Sequence, residues 1–77
     1  MKKRIEFTVS GKKFEGVVYT NPFMFGRIEA VNVWDGRTRN YVRRTVRVDS
    51  NDELFFTWNG KTVILKEMID HFECVVS

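Results

Sequence analysis

Residues 54–65 read Leu54-Phe55-Phe56-Thr57-Trp58-Asn59-Gly60-Lys61-Thr62-Val63-Ile64-Leu65. Two runs rich in aromatic, aliphatic and β-branched residues flank Asn59-Gly60, the dipeptide that best tolerates the consecutive positive φ angles of a type I′ turn. Such a turn twists in the same sense as the strands it joins, so the stretch predicts a β-hairpin. The two-residue loop sets the register, with Phe56 opposite Val63 and Leu54 opposite Leu65 on one face and Phe55 opposite Ile64 on the other. Both faces are apolar, which makes this hairpin the centre of the fold or gives the fold a second apolar surface.

Upstream, Asp49-Ser50-Asn51-Asp52 has loop composition, and before it the arms 27–34 and 37–48 flank Asp35-Gly36, a second type I′ signal. Pairing Trp34 with Arg37 sets Asn32 opposite Arg39, Ala30 opposite Tyr41 and Ile28 opposite Arg43 on one face. The other face carries Val31, Val33, Val42, Val46 and Val48, with Arg44 as a misfit whose expected partner is Glu29 at the rim of the core. A third hairpin alternates over 5–9 and 14–18. A type II′ turn at Gly11-Lys12 would pair Val9 with Phe14, Phe7 with Gly16 and Ile5 with Val18. Thr20 to Gly26 reads as a loop. The tail is ambiguous between helical spacing (Leu65, Met68, Ile69, Phe72, Val76) and strand alternation (Phe72, Cys74, Val76), and a short helical turn over 66–70 followed by a strand over 72–76 satisfies both. The expected fold is all-β: a small, strongly twisted antiparallel meander curled into a barrel or half-barrel, with a short C-terminal helical turn.

A chain of 77 residues, 43% hydrophobic and 30% charged, is a single domain over 1–77, near the lower limit for a core without disulfides or metals. Cys74 is the lone cysteine, so no internal bridge can form and a reducing compartment is expected. No apolar run approaches membrane length, and Glu6, Ser10, Lys12 and Lys13 interrupt what would be the apolar part of a leader after Met1-Lys2-Lys3-Arg4. The expectation is a cytoplasmic, unprocessed chain with no membrane partner.

The formal net charge of +3 conceals a segregation. Residues 1–48 hold eleven Lys and Arg against four Asp and Glu, and residues 49–77 hold two against six. Such a split suits a basic face for a polyanion, or a molecule whose two ends attract each other in a homo-oligomer.

Catalysis requires a constellation of groups, and this chain supplies few. His71 and Cys74 are each unique and stand three apart, at best half of a zinc site; no metal or cofactor is expected. Asp49, Asp52 and Glu53 lack calcium-loop spacing and are expected to cap a turn. There is no phosphate-cradling glycine loop. The chain is expected to be a non-enzyme.

The feature that points to function is the second hairpin. One face gathers Arg37, Arg39, Tyr41, Arg43 and Arg47 with Trp34 and Asn32 across the pair, and Lys12 and Lys13 extend the field. Guanidinium groups make bidentate phosphate contacts and exposed rings stack on bases, so the face suits nucleic acid bound without strong sequence readout. The same arginines suit an acidic partner protein, as in small interaction or inhibitor modules of bacterial or phage type. In that case Phe23, Met24 and Phe25 would form an apolar docking knob, whereas buried they would plug one end of the barrel.

The segments Gly11-Lys12-Lys13-Phe14-Glu15-Gly16-Val17-Val18 and Asn21-Pro22-Phe23-Met24 together resemble the first motif of Sm-like proteins. Thr57-Trp58-Asn59-Gly60-Lys61-Thr62-Val63-Ile64 is similar to their second motif. The resemblance implies a small barrel of SH3 or Sm type and ring-like pairing of edge strands. The family's RNA-contacting residues are not matched: Phe25 stands for its asparagine, Asn59 for its arginine and Asn21 for its aspartate. The loop is one residue shorter, and no room for the family's N-terminal helix precedes Ile5.

Overall fold

The computed structural model describes residues 2–21 and 27–77, so Phe23, Met24 and Phe25 lie outside the described residues. Eight strands follow one another: β1 (Lys2–Val9), β2 (Lys12–Asn21), β3 (Arg27–Asp35), β4 (Asn40–Thr45), β5 (Arg47–Val48), β6 (Leu54–Trp58), β7 (Lys61–Glu67) and β8 (His71–Val76). They form one sheet in the order β4-β3-β2-β1-β8-β7-β6-β5. Every ladder is antiparallel except the short β1–β8 pair, where Arg4 meets His71 and Ile5 meets Phe72.

The two strands at the ends of that order, β4 and β5, are separated in the chain by Val46 alone. In a flat sheet the end strands of eight would stand about 34 Å apart at ~4.8 Å per strand. Yet residues 45 and 47 can be at most about 7 Å apart through the chain. The sheet must therefore roll, and it does so into a nearly closed barrel.

Three local features make the roll feasible. Tyr19 pairs with Ala30 and Thr20 with Ile28, so Glu29 is an unopposed bulge residue in β3. The bulge bends the strand and turns Ile28 inward along with Val31 and Val33 while Glu29 stays exposed. The Glu29 carbonyl accepts the Val46 N–H at 2.9 Å, tying the bulge to the link between the two sheet ends. In the β2–β3 ladder, opposite Val33, Gly16 has no room for a side chain: a Cβ there would lie 2.5 Å from the Asn32 backbone oxygen.

The inner face is filled by an aromatic cluster among aliphatic residues. Phe7 stacks on Phe14 at 5.6 Å and meets Phe56 edge-on at 5.5 Å, and Phe14 meets Trp58 edge-on at 5.3 Å. Ile5, Val9, Val18, Ile28, Val31, Val33, Val46, Val63, Leu65 and Phe72 join it in the core. Among the described residues β4 and β6 approach without forming a ladder, and half-buried Arg44 stands at this seam with its guanidinium 5.1 Å from the Trp58 ring centroid. This is the arginine that the valine pattern marked as a misfit. Its partner is the Trp58 ring and the Arg43 carbonyl, 3.2 Å from Nη1, rather than Glu29.

The third hairpin has the register expected from Asn59-Gly60, with φ of 48° and 76° at the turn. The other two hairpins differ from their expected registers. The first turn is Ser10-Gly11, with φ of 53° and 77°, so Phe7 faces Phe14 and Ile5 faces Gly16. This shifts the register by two, which preserves the faces, and it selects type I′, whose twist matches the strands, over type II′. In the second hairpin Asp35-Gly36 forms no type I′ turn: Arg39, at φ 57°, is the only residue of 36–39 with positive φ. Asp35 instead accepts the Arg37 N–H on Oδ1 at 3.0 Å and the Arg39 N–H on its carbonyl at 2.8 Å, closing a four-residue loop. Trp34 therefore faces Tyr41 and Asn32 faces Arg43. Val48 is 46% exposed rather than a core valine, because the sheet ends beside it.

The C-terminal helical turn is absent, and no helix occurs among the described residues. Residues 68–71 form a tight turn in which the Met68 N–H donates to the His71 carbonyl at 2.9 Å, so β7 runs directly into β8. The helical spacing of Met68 and Ile69 came from two exposed turn residues, Ile69 being 99% exposed. Lys3 anchors this corner by donating from Nζ to the Met68 carbonyl at 2.9 Å, with Glu67 at 3.3 Å.

Two substitutions test this account by urea denaturation. Gly16→Ala should lower stability by about 2–3 kcal/mol, because backbone atoms must shift to admit the methyl group. Ser10→Asn should raise it by roughly 0.5 kcal/mol, since asparagine adopts the left-handed conformation more readily.

Candidate functional site

The corrected register of β3 and β4 decides which side chains share the outer surface. Trp34 and Tyr41 are cross-strand partners, their ring centroids 5.1 Å apart at 65°. Both remain exposed, at 42% and 60%. Edge-to-face pairing sets the two rings in a preferred relation to each other.

Around this pair the ladders align a second row: Arg43 opposite Asn32, Asn32 opposite Val17, Val17 opposite Arg4, and Arg4 opposite His71. Arg43 stands two residues along β4 from Tyr41, about 7 Å away on the same face. A shallow depression of about 400 Å³ lies between the rows, lined by Arg4, Glu15, Gly16, Val17, Trp34 and Tyr41. A second, of about 220 Å³, is lined by Lys12, Lys13, Phe14, Glu15, Trp34 and Gly36. Trp34 and Glu15 belong to both.

Of the residues expected to form the site, the fold thus assembles Trp34, Tyr41, Arg43, Lys12 and Lys13. Arg37 and Arg39 occupy the exposed loop at the tip of the β3–β4 hairpin rather than the strand face, next to Gly36 of the second depression. Arg47 is set apart: it lies beyond the Val46 link, opposite Phe55 on β6, in a different part of the sheet. Sequence reasoning missed Arg4 and Glu15. The alternation of β1 and β2 places both on the outer face, but their proximity to Trp34 and Tyr41 depends on β2 pairing with β3.

The charges on this face are unequally engaged. Glu6 is shared by Arg4 at 3.9 Å and Lys13 at 3.5 Å. Arg37, Arg39, Arg43 and Glu15 form no salt bridge among the described residues. The uncommitted cations are therefore available to an external anion.

The remaining candidate chemistry is accounted for structurally. The Asp49 carboxylate accepts the Asn51 and Glu53 N–H groups, each at 2.9 Å, and so caps its own loop. His71 is exposed, its Nδ1 2.7 Å from Asp70 Oδ1, and the hydrogen bond holds the Asp70 carboxyl below the usual carboxylate range. Cys74, three residues on along the strand, points to the opposite face, against the core. Burial pushes its thiol up to about 11. Among the described residues no group of three His, Cys, Asp or Glu is placed to hold a metal ion, and no helix is long and apolar enough to cross a membrane.

Comparison with protein-family models, curated proteins and solved structures finds no match for the chain.

The half-buried thiol supplies a test of this arrangement. At pH 8.5 iodoacetamide should alkylate Cys74 in the folded protein on the order of a hundredfold more slowly than in urea, because only the thiolate reacts. The folded pKa lies above the unfolded one, so the thiol's contribution to stability is complete below pH 9 and is lost as pH rises towards 11. Cys74→Ala should lack that part of the alkaline decline.

Proposed function

We propose that this chain is a small, non-enzymatic module that binds nucleic acid, without strong sequence readout, through the outer face of β3 and β4. The observation that carries the proposal is the exposed Trp34–Tyr41 pair standing beside Arg43 and the loop arginines Arg37 and Arg39, none of the three in a salt bridge among the described residues. Rings offer a stacking surface to any base, and guanidinium groups offer bidentate contacts to the backbone phosphates. Lys12 and Lys13 extend the cationic field past Trp34. A cytoplasmic site of action accompanies this reading, consistent with the lone, unpaired Cys74.

Fluorescence anisotropy of labelled single-stranded DNA, RNA and duplex DNA tests it. Micromolar binding should weaken steeply between low and physiological salt. In an Arg39→Ala/Arg43→Ala variant the log–log salt slope should fall by about 1.4 units for single strands and about 1.8 for duplex. Tyr41→Ala should weaken single-strand binding by roughly 1–3 kcal/mol while leaving the slope unchanged, since stacking releases no counterions. Absence of binding at low salt overturns the reading and directs the same arginines to an acidic protein partner.

A further inference from the structure

The depression beside Trp34 and Tyr41 contains a group that a phosphate-binding surface does not need. Glu15 is exposed, lines both depressions and forms no salt bridge among the described residues. It also stands directly opposite Glu6 across the β1–β2 ladder. Like charges facing each other in an antiparallel pair destabilise it. Glu6 is relieved by Arg4 and Lys13, whereas Glu15 has no such relief among the described residues. A carboxylate held at this disadvantage, in a field otherwise suited to anions, opposes phosphate binding where it stands. Its chemistry suits a neutral ligand that presents hydrogen-bond donors.

Resting on the nucleic-acid reading above, we infer that the depression lined by Arg4, Glu15, Val17, Trp34 and Tyr41 takes one unpaired guanine base, whose Watson–Crick edge Glu15 reads. A carboxylate is an acceptor only, with two oxygens side by side. Guanine presents two adjacent donors on that edge, its N1–H and its N2 amino group, and so matches both oxygens at once. Adenine and cytosine each offer a single exocyclic amino group beside an acceptor, which the carboxylate repels. In a duplex this edge is already paired, so the base must come from a single strand. The Trp34 and Tyr41 rings, inclined at 65° to each other, offer the base one ring face for stacking, Val17 and Gly16 line the floor, and the Arg4 guanidinium, 76% exposed, lies on the opposite rim for the adjoining phosphate. The flanking nucleotides are held by the arginines without discrimination, so one position of preference sits within an otherwise sequence-tolerant site.

The test uses labelled ten-nucleotide oligouridines carrying one central guanosine, inosine, adenosine or cytidine, with anisotropy read at low salt. Inosine differs from guanosine only in lacking the N2 amino group. The wild-type protein should bind the guanosine strand roughly tenfold more tightly than the inosine strand, the equivalent of about 1.4 kcal/mol for the lost half of a bidentate pair. In Glu15→Gln the two strands should bind within about twofold of each other. The same variant should unfold at an equal or higher urea concentration than wild type, because the Glu6–Glu15 repulsion is removed. Equal binding of all four strands by the wild-type protein, or a guanosine preference that persists in Glu15→Gln, overturns the inference while the nucleic-acid reading stands. Absence of binding to every strand overturns both.

Discussion

One residue between two strands governs this molecule. Val46 joins β4 to β5, the opposite ends of an eight-stranded sheet, and a covalent link of that length cannot coexist with a flat sheet. Closure has local requirements, and they appear where the curvature is concentrated. Glu29 bulges out of its ladder and offers its carbonyl to Val46, and Gly16 leaves space for the Asn32 carbonyl of the neighbouring β3. Arg44 stands over the Trp58 ring where β4 and β6 approach without pairing. A long, half-buried cation suits that seam because its aliphatic stem packs towards the core while its charged end reaches solvent. The Trp58 Nε1 beneath it is buried without an acceptor among the described residues, and the cation over its ring is a favourable contact that involves no acceptor.

Rolling the sheet also sorts the aromatic residues. A small barrel has one interior, and Phe7, Phe14, Phe56 and Trp58 fill it through mutual edge and stacking contacts. Trp34 and Tyr41 have the opposite strand parity and can reach no core. They pair with each other on the outside and remain substantially exposed. Two large rings left in water beside cations that form no salt bridge among the described residues are poorly explained by solubility alone, since charged residues by themselves would serve that purpose. The same surface carries the facing pair Glu6 and Glu15, so its electrostatics are mixed on a scale of one or two side chains rather than uniformly basic. A surface of this kind is better suited to a ligand that alternates charged phosphates with flat, hydrogen-bonding bases than to a uniform polyanion.

The charge segregation along the chain takes a simple spatial form. The cation-rich first half forms β1 to β5, and the acid-rich second half contributes β6 to β8 with the Asp49 loop and the turn at residues 68–71. Some acids in that half have local tasks: Asp49 caps its loop and Glu67 meets Lys3. The arginines of the β3–β4 loop form no salt bridge among the described residues, and the Asp35 carboxylate beside them accepts a backbone N–H.

The all-β class, the three hairpins and most of their inward faces were legible from period-two alternation and turn chemistry, because strand parity survives any register shift of two or four. Ile28, expected on the arginine face, is the exception that the Glu29 bulge turns inward, and Val48 is left exposed at the sheet end. The Asn59-Gly60 hairpin was legible to the residue, since two consecutive positive φ angles at a two-residue loop permit only one pairing. Registers elsewhere were not: Asp35 closed a longer loop with its side chain, and Ser10 took a left-handed conformation that its identity does not announce. That four-residue difference is why Trp34 meets Tyr41 instead of Arg37, and why Arg37 and Arg39 leave the strand face. The tail misled because Met68 and Ile69, apolar at helical spacing, are turn residues that never meet the core. Sequence by itself determined which side of each strand is apolar and which half of the chain is basic. Only tertiary structure decided the registers of β3 on β2 and on β4, which bring Arg4 and Glu15 to Trp34 and Tyr41, and the closure that carries Arg47 away from them. Those relations depend on how a sheet closes on itself, and no local pattern encodes the distance between strands that are far apart in the chain.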